Sequence, residues 1–306
     1  MTHPSLTRRA LLSGLAGAGL GGLAGLRPAF PQSAPLMKTV PRSGEKLPAV
    51  GLGSWITFNV GDDPELRREC TAVMAAFFEA GGRVIDSSPM YGSSQAVIGH
   101  ALEALGHPKA LFAADKVWTS SGGAEQVAES QTRWTVPRFD LLQVHNLVAW
   151  EEHLPMLMAM KAEGSLGHVG ITTSEGRRHD LFEAVMREHQ LDFVQLTYNI
   201  VDRAAEQRLL PLAMDRGMAV LANRPFRQGE LTRRLARHPL PPWAAEIGAR
   251  SWAQFILKFI VSHPAVTCAI PATSRVDHVR ENVEAAAGPL PDAAMRDRMA
   301  AHVETL

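Results

Sequence analysis

Cysteine, net charge and long apolar runs are all scarce in this chain of 306 residues, and each shortage excludes a class of protein. The two cysteines, Cys70 and Cys268, are too few for a disulfide framework, and neither stands in the Cys-x-x-Cys spacing of a metal or redox site. Lysine and arginine together number 31, as do aspartate and glutamate, so the formal net charge is zero. This balance argues against nucleic acid or an acidic membrane surface as a partner. With 46% hydrophobic residues, the chain still has enough apolar material for a large core.

The first thirty residues differ from the rest of the chain. Arg8 and Arg9 precede an uncharged stretch over 10–26 that contains six glycines. A positive segment before an apolar one is typical of a secretory signal, and paired arginines with weak hydrophobicity indicate the twin-arginine route. The stretch is shorter than the ~20 strongly apolar residues that a membrane span requires. We therefore predict that residues 1–30 are a signal for the export machinery and that the protein acts in the periplasm or elsewhere outside the cytoplasm.

From residue 38 onward, short apolar runs alternate with amphipathic helical patterns. The segment 38–48 predicts a small hairpin. After it, eight apolar runs predict strands, each followed by a helix, at 49–55, 84–86, 111–117, 139–145, 168–173, 193–198, 219–224 and 266–271. Eight such units without internal hairpins predict an α/β fold, with a closed (β/α)8 TIM barrel over 38–306 as the best fit. A doubly wound open sheet is the alternative.

Three successive predicted strands end in a titratable residue. These are Asp86, Lys116 and His145, and consecutive members are separated by one strand–helix unit. Because the functional residues of such barrels lie at the C-terminal ends of strands, the three are expected on one rim. Tyr91, one of only two tyrosines in the chain, follows Asp86 in the next loop. We predict that all four residues belong to one site.

Each of the four residues also has a structural explanation when it is taken alone. Asp86 fits a turn cap, Tyr91 a surface aromatic and His145 a hydrogen-bonded core histidine. Lys116 is harder to explain in this way, because it follows an apolar run and needs a partner for its charge when buried. The combination of the four types is what favours a functional site.

These residues resemble the aldo-keto reductases. The likeness covers about residues 38–287, and it rests on VIDSSPMYG at 84–92, Lys116, DLLQVH at 140–145, IPATSR at 270–275, Glu281 and Asn282. The resemblance implies that Asp86, Tyr91, Lys116 and His145 form a catalytic tetrad. It also implies NAD(P)H-dependent reduction of an aldehyde or ketone, or the reverse oxidation of an alcohol.

The residue types agree with that chemistry. Reduction of a carbonyl needs a hydride for carbon and a proton for oxygen, and the hydride must come from a nicotinamide because no side chain supplies one. Tyr91 is expected to donate the proton, with its pKa lowered by Lys116, which pairs with Asp86. His145 is expected to donate a hydrogen bond to the carbonyl oxygen.

The resemblance implies NADP(H), with NAD(H) as the alternative, bound in an extended pose without a Rossmann fold. Ser274 and Arg275 are candidates for the adenosine 2′-phosphate, and Glu281 and Asn282 for the adenine. The full set of cofactor-binding candidates is Thr172, Gln195, Asn223, Arg224, Thr273, Ser274, Arg275, Glu281 and Asn282. As a structural alternative, Thr273 or Ser274 is an ordinary helix N-cap beside a solvated arginine.

Three positions depart from the commonest family pattern. Thr172 and Thr173 replace a Ser-Asn pair, Asn223 replaces an aromatic that often stacks on the nicotinamide, and His278 stands where arginine is frequent. These changes leave the choice between NADP(H) and NAD(H) open. Trp55 and Trp118 are the candidates for an apolar substrate pocket, and packing under loops explains them equally well.

Two other functions compete with a reductase. A Schiff-base aldolase would use Lys116, but it needs a lysine of lowered pKa, whereas Asp86 keeps the amine charged. A barrel that binds nucleotide without turnover is the non-enzymatic alternative, favoured by export because reduced nicotinamide is not expected to be regenerated outside the cytoplasm. No heptad pattern in the sequence indicates an oligomer.

Overall fold

A short antiparallel hairpin opens the part of the chain that the computed structural model describes, which is residues 35–306. Its strands are β1 (Met37–Thr39) and β2 (Lys46–Pro48), in agreement with the hairpin predicted at 38–48. The predicted signal segment at 1–30 lies outside the described residues. Within those residues, no helix is both long and apolar enough to cross a bilayer.

Eight parallel strands follow, and their order around the sheet is their order in the sequence. They are β3 (Leu52–Gly53), β4 (Val84–Asp86), β5 (Phe112–Val117), β6 (Leu141–Val144), β7 (His168–Thr172), β8 (Phe193–Thr197), β9 (Ala219–Asn223) and β10 (Cys268–Ala269). All eight lie within the predicted runs. Each pair of neighbours in this order is parallel, as right-handed crossovers through helices require.

The first and last strands of the sheet meet and close the barrel. The backbone N–H of Gly51 donates to Ala269 O at 2.8 Å, and that of Gly53 donates to Pro271 O at 3.0 Å. A Cβ on Gly53 would lie 2.7 Å from Ile270 O, so only glycine permits this approach. The fold is therefore the (β/α)8 barrel, and the open doubly wound sheet is excluded.

Helices surround the barrel. They are α1 (Pro64–Glu79), α2 (Ser94–Ala104), α3 (Gly123–Trp134), α4 (Trp150–Ala162), α5 (His179–Glu188), α6 (Leu209–Asp215), α7 (Glu230–Leu235), α8 (Trp252–Val261), α9 (Val276–Glu284) and α10 (Ala293–Glu304). The start of α1 shows how local sequence sets these bounds. The carboxylate of Asp63 accepts from two first-turn N–H groups and Pro64 occupies the first helical position, while Gly81 follows the last turn with φ +85°.

Alternation along the strands separates two apolar cores. In β5, Phe112 and Ala114 belong to the cluster inside the barrel, whereas Ala113 and Val117 pack in the cluster shared with the helices. Val40 and Leu47 of the hairpin complete the inner cluster and close the bottom of the barrel. The same two-residue period continues upward, so the polar residues that end each strand on the inner phase meet at the top.

Candidate active site

The barrel opens at its C-terminal end into a cavity of about 570 Å³. Its floor contains polar side chains from the ends of four different strands, which are Asp86, Thr172, Gln195 and Asn223. Its walls come from the loops that follow the strands and from residues of α7, α8 and α9. This is the place where barrel folds carry their functional residues.

A buried ion pair lies under the floor of the cavity. The Lys116 Nζ donates to Asp86 Oδ2 at 2.6 Å and to the carbonyl oxygen of Ser87 at 2.7 Å. Lys116 is only 1% exposed and is absent from the cavity lining. Burial is the largest single effect on the pKa of Lys116 and lowers it, but the negative charges around the amine, that of Asp86 first, and the hydrogen bond to Asp86 together outweigh burial, so the net direction is upward. The amine therefore stays an ammonium without access to a carbonyl, which opposes the Schiff-base alternative.

The second oxygen of the Asp86 carboxylate is also bound. Gln195 Nε2 donates to Asp86 Oδ1 at 2.8 Å, and Gln143 Nε2 approaches the same oxygen at 3.4 Å. Gln143 was not singled out in the sequence. Its position two residues after Leu141, on the inner phase of β6, is the signal that would have identified it.

Tyr91 lies above this ion pair in the loop between β4 and α2. The Lys116 Nζ is 5.0 Å from the centroid of the tyrosine ring, and the ring packs edge-on against His145 with centroids 5.8 Å apart. Burial raises the pKa of Tyr91 and outweighs the opposing effect of the Lys116 charge. The expectation that Lys116 lowers this pKa below its ordinary value is therefore corrected. The phenol is protonated at neutral pH, which is the form that a proton donor needs.

His145 is held as a neutral imidazole. Its Nδ1 hydrogen-bonds the hydroxyl of Ser88 at 2.8 Å, which leaves Nε2 as the nitrogen for a ligand. Burial, and then the charge of Lys116, hold the pKa of His145 well below its usual value. Ser88 lies in the quoted 84–92 segment, yet its contact with His145 was not expected from the sequence.

The cavity continues from the four residues toward the start of α9. Of the predicted cofactor residues, those that line it are Thr172, Gln195, Asn223, Arg224, Thr273, Glu281 and Asn282. Ser274 and Arg275 do not line it and are exposed beside it. Thr273 Oγ1 accepts from the Arg275 N–H at 3.1 Å, but within residues 35–306 no side-chain hydrogen bond caps α9. The first N–H groups of α9 are therefore not used by an ordinary N-cap and suit an anion.

Asn223 lies at the end of β9, where the resemblance suggested an aromatic. Its Nδ2 donates to Thr173 O at 2.9 Å, and its Oδ1 accepts from the Thr197 hydroxyl at 2.7 Å. Asn223 is therefore fixed by hydrogen bonds in the floor. Thr197 was not identified from the sequence, although its position on the inner phase of β8 would have indicated it.

An ion pair connects two loops at the cavity wall. Arg224 Nη1 lies 2.8 Å from Glu175 Oε1, and its guanidinium lies 6.0 Å from the ring centroid of Trp55. Arg177 pairs with the other oxygen of the same glutamate. Glu175 has no periodic sequence signal because it belongs to a loop, and only the structure reveals it.

Of the two tryptophans predicted to line the pocket, only one does so. Trp55 lines the cavity with its ring centroid 6.3 Å from that of Tyr91. Trp118 is 42% exposed and lies outside the lining, since Gln126 holds its backbone N–H and carbonyl in the loop after β5. The expectation that Trp118 contributes to the pocket is not met.

Comparison with known proteins shows the family of the chain. The model of the aldo/keto reductase family matches residues 49–302. The chain belongs to the aldo/keto reductase family. Among curated relatives, this aldo/keto reductase is 28% identical to the methylglyoxal reductase YeaE of Escherichia coli, over 80% of its own length and 88% of the relative. It is 27% identical to an NADH-specific methylglyoxal reductase of the same organism, over 64% and 68% of the two chains.

Solved structures resemble this aldo/keto reductase in fold. An aldo/keto reductase from Klebsiella pneumoniae in complex with NADP and acetate gives a TM-score of 0.70 at 23% identity, covering 85% of this chain and 93% of that one. The holo form of an aldo-keto reductase from Bacillus halodurans gives 0.72 at 21% identity, covering 88% and 96%. The likeness extends over nearly the whole barrel.

Proposed function

We propose that this protein is a nicotinamide-dependent carbonyl reductase in which Tyr91 protonates the carbonyl oxygen of a small aldehyde or ketone. The observation that carries the proposal is the convergence of a protonated phenol, a buried Lys116–Asp86 ion pair and a neutral imidazole on one cavity. When bound, the nicotinamide supplies the hydride.

Each side chain has a distinct task in this proposal. Tyr91 gives its proton to the substrate oxygen as negative charge develops there, and the nearby Lys116 ammonium stabilises the phenolate that remains. Asp86 keeps Lys116 charged and in place. His145 donates a hydrogen bond from Nε2 to the same oxygen, with Ser88 fixing the ring, so that the carbonyl is oriented before the proton moves.

The residues beside the tetrad fit a dinucleotide. The cavity runs from the tetrad to α9, and its floor offers amide groups of Gln195 and Asn223 in the family's cofactor positions. The uncapped start of α9 supplies N–H donors for a phosphate group. Asn282, which is buried, and Glu281 would meet the adenine. Solved relatives that contain NADP or NADPH, and a relative named as NADH-specific, support either nucleotide as the cofactor.

Substitution of Tyr91 by phenylalanine tests the function and separates it from nucleotide binding without turnover. Methylglyoxal is the first substrate to assay, because two relatives carry that activity in their names. We expect Tyr91→Phe to bind NADPH and NADH as the wild type does and to lose about a hundredfold or more of its turnover. Equal turnover in the two proteins refutes the role of Tyr91. Binding without turnover in the wild type, across small aldehydes and ketones, favours the non-enzymatic alternative.

We also propose that residues 1–30 direct export by the twin-arginine route. Arg8, Arg9 and the weakly apolar stretch that follows support this. The full-length chain and its Arg8→Lys, Arg9→Lys variant are expressed in a bacterium that has the twin-arginine translocase, and the periplasmic fraction is assayed for each. The wild type is expected there and the variant in the cytoplasm. An equal distribution of the two proteins contradicts the proposal.

A further inference from the structure

Arg275, the candidate for the cofactor 2′-phosphate, is already engaged by an acidic side chain of the chain itself. Arg275 Nε donates to Asp277 Oδ1 at 3.0 Å, and its Nη2 contacts the second carboxylate oxygen. These two parallel contacts occupy the Nε–Nη2 edge of the guanidinium, which is one of the edges with which arginine binds two phosphate oxygens. The hydrogen bonds from Arg275 lower the pKa of Asp277 to about 2, so the carboxylate is ionised at neutral pH.

Among the residues that the structure describes, the surroundings of this pair offer little additional positive charge. Arg280, on the same helix, lies 3.5 Å from Glu79. Among the cavity-lining residues, Arg177 and Arg224 are both paired with Glu175. Glu281 and His278 line the cavity near the start of α9, and an imidazole carries a full charge only when protonated.

A 2′-phosphate placed at Arg275 therefore meets a competitor. Either Asp277 leaves the guanidinium, or the phosphate binds beside a carboxylate and is repelled by it. NADH carries an uncharged hydroxyl at the same position, so its binding requires neither the displacement of Asp277 nor contact between like charges. The two nucleotides are otherwise alike, so a change confined to the Arg275–Asp277 pair is expected to alter the binding of NADPH and to leave that of NADH unchanged.

We propose that Asp277 is a specificity-determining residue, which weakens the binding of NADPH relative to NADH by competing with the 2′-phosphate for Arg275. The inference rests on the proposed function, because it needs a nicotinamide nucleotide in this cavity. The reductase is then expected to accept NADH readily instead of discriminating strongly in favour of NADPH.

A purely structural role for Asp277 makes a different prediction. As an acidic residue in the first turn of α9, Asp277 also interacts favourably with the helix dipole. If that were its whole role, Asp277→Asn would affect both nucleotides alike through the stability of the helix. The comparison of NADPH with NADH in one protein separates the two explanations.

The test is a pair of equilibrium titrations that require no substrate. NADPH and NADH are titrated into the wild type, Asp277→Asn and Glu284→Gln, with tryptophan fluorescence as the readout, since Trp55 lines the cavity. Glu284→Gln is the matched control. It also removes one exposed acid from α9, but it lies seven residues along, about 10 Å from Asp277 by the helix rise, where salt screens it.

We expect Asp277→Asn to bind NADPH about fivefold more tightly, an effect in the range typical of exposed charge pairs, with NADH affinity unchanged. Glu284→Gln is expected to match the wild type for both nucleotides. If both nucleotides bind but Asp277→Asn leaves their affinity ratio unchanged, the role of Asp277 is refuted and the reductase function stands. If neither nucleotide binds the wild type, the proposed function fails together with this inference.

Discussion

Gln195 donates a 2.8 Å hydrogen bond to Asp86, the carboxylate that also binds Lys116. This predicted cofactor-binding residue is therefore also a direct support of the catalytic ion pair. Gln195 Oε1 in turn lies 3.4 Å from Asn223 Nδ2. A continuous polar chain crosses the top of the barrel from β9 to β5, and it connects the cofactor side of the cavity to the proton-donor side.

Removal of the Gln195 amide is expected to destabilise the fold. In Gln195→Leu the buried carboxylate of Asp86 loses its shortest neutral donor, which costs about 1–3 kcal/mol of unfolding free energy. For a chain of this size that corresponds to a fall in Tm of roughly 2–5 °C. Thermal unfolding followed by circular dichroism measures it. Gln190→Leu, at an exposed position near the other end of the barrel, is the matched control, and an equal Tm for both variants contradicts the assignment.

The Lys116–Asp86 pair permits a test in which stability and turnover separate. Lys116→Met leaves a buried carboxylate without its cation, for which about 3–5 kcal/mol of destabilisation is typical. The double variant Asp86→Asn, Lys116→Met buries no charge and is expected to be more stable than Lys116→Met alone. Turnover is expected to stay low in both, because Tyr91 lacks the ammonium. Urea unfolding and steady-state assays measure the two quantities.

The outcome that would contradict this account is also specific. If the double variant is as unstable as Lys116→Met, the lost stability does not come from an unpaired carboxylate. If the double variant recovers turnover, Lys116 does not act on Tyr91. Both variants are compared at equal nucleotide saturation, so that a change in cofactor binding is not mistaken for a change in the proton transfer.

The barrel was predictable because eight apolar runs alternate with helical patterns, and Asp86 and Lys116 were predictable because they come at the ends of successive runs. Gln195 and Asn223 were expected only from the resemblance to the aldo-keto reductases. In the structure all four residues share the inner phase of their strands. The barrel closes because β3 can approach β10 through Gly53, and that glycine is visible in the sequence. In a regular strand, the orientation of one side chain determines the orientation of the others.

In the loops, the sequence does not determine side-chain orientation in this way. Trp118 and Trp55 each follow a strand, yet only Trp55 turns into the cavity, because hydrogen bonds to Gln126 hold the loop of Trp118 elsewhere. The pKa of Tyr91 was also misjudged. A list of charged neighbours gives the effect of Lys116, but the larger effect is burial, which depends on the packed structure.

Because Asp115 is buried, we expect the stability of the protein to fall as pH rises toward neutrality. Asp115 occupies the outer phase of β5, is fully buried, accepts from the Lys116 N–H at 2.8 Å and from Gln95 Nε2 at 2.7 Å. The same Gln95 amide also donates to Ser130, and Arg133 approaches its oxygen at 3.4 Å. Burial raises the pKa of Asp115 from 3.8 to about 7, and it outweighs the lowering by the charge of Lys116.

The number of protons bound by the folded and the unfolded protein decides whether stability rises or falls with pH. Between about pH 4 and pH 7 the folded protein holds a proton on Asp115 that the unfolded chain has lost, so the unfolding free energy falls as pH rises. At roughly 1.4 kcal/mol per pKa unit, the loss is about 4 kcal/mol above pH 7. Asp115→Asn removes this contribution. Urea unfolding at pH 5 and pH 8 should therefore show a smaller decline in the variant, and equal declines would contradict the raised pKa.

Glu175 is expected to affect the binding of the pyrophosphate, which NADH and NADPH share. Its carboxylate lies on the cavity wall and pairs with Arg224 at 2.8 Å and with Arg177. Glu175→Gln removes a negative charge from the wall and frees Arg224 to contact a pyrophosphate. We expect NADH and NADPH each to bind about two- to fivefold more tightly, in the range of exposed ion pairs. This equal gain distinguishes Glu175 from Asp277, whose substitution is expected to change NADPH alone. Fluorescence titration measures the affinities and stopped flow the dissociation rates. Faster dissociation and weaker binding of both nucleotides would contradict this prediction and would mean that the Glu175–Arg224 pair supports nucleotide binding.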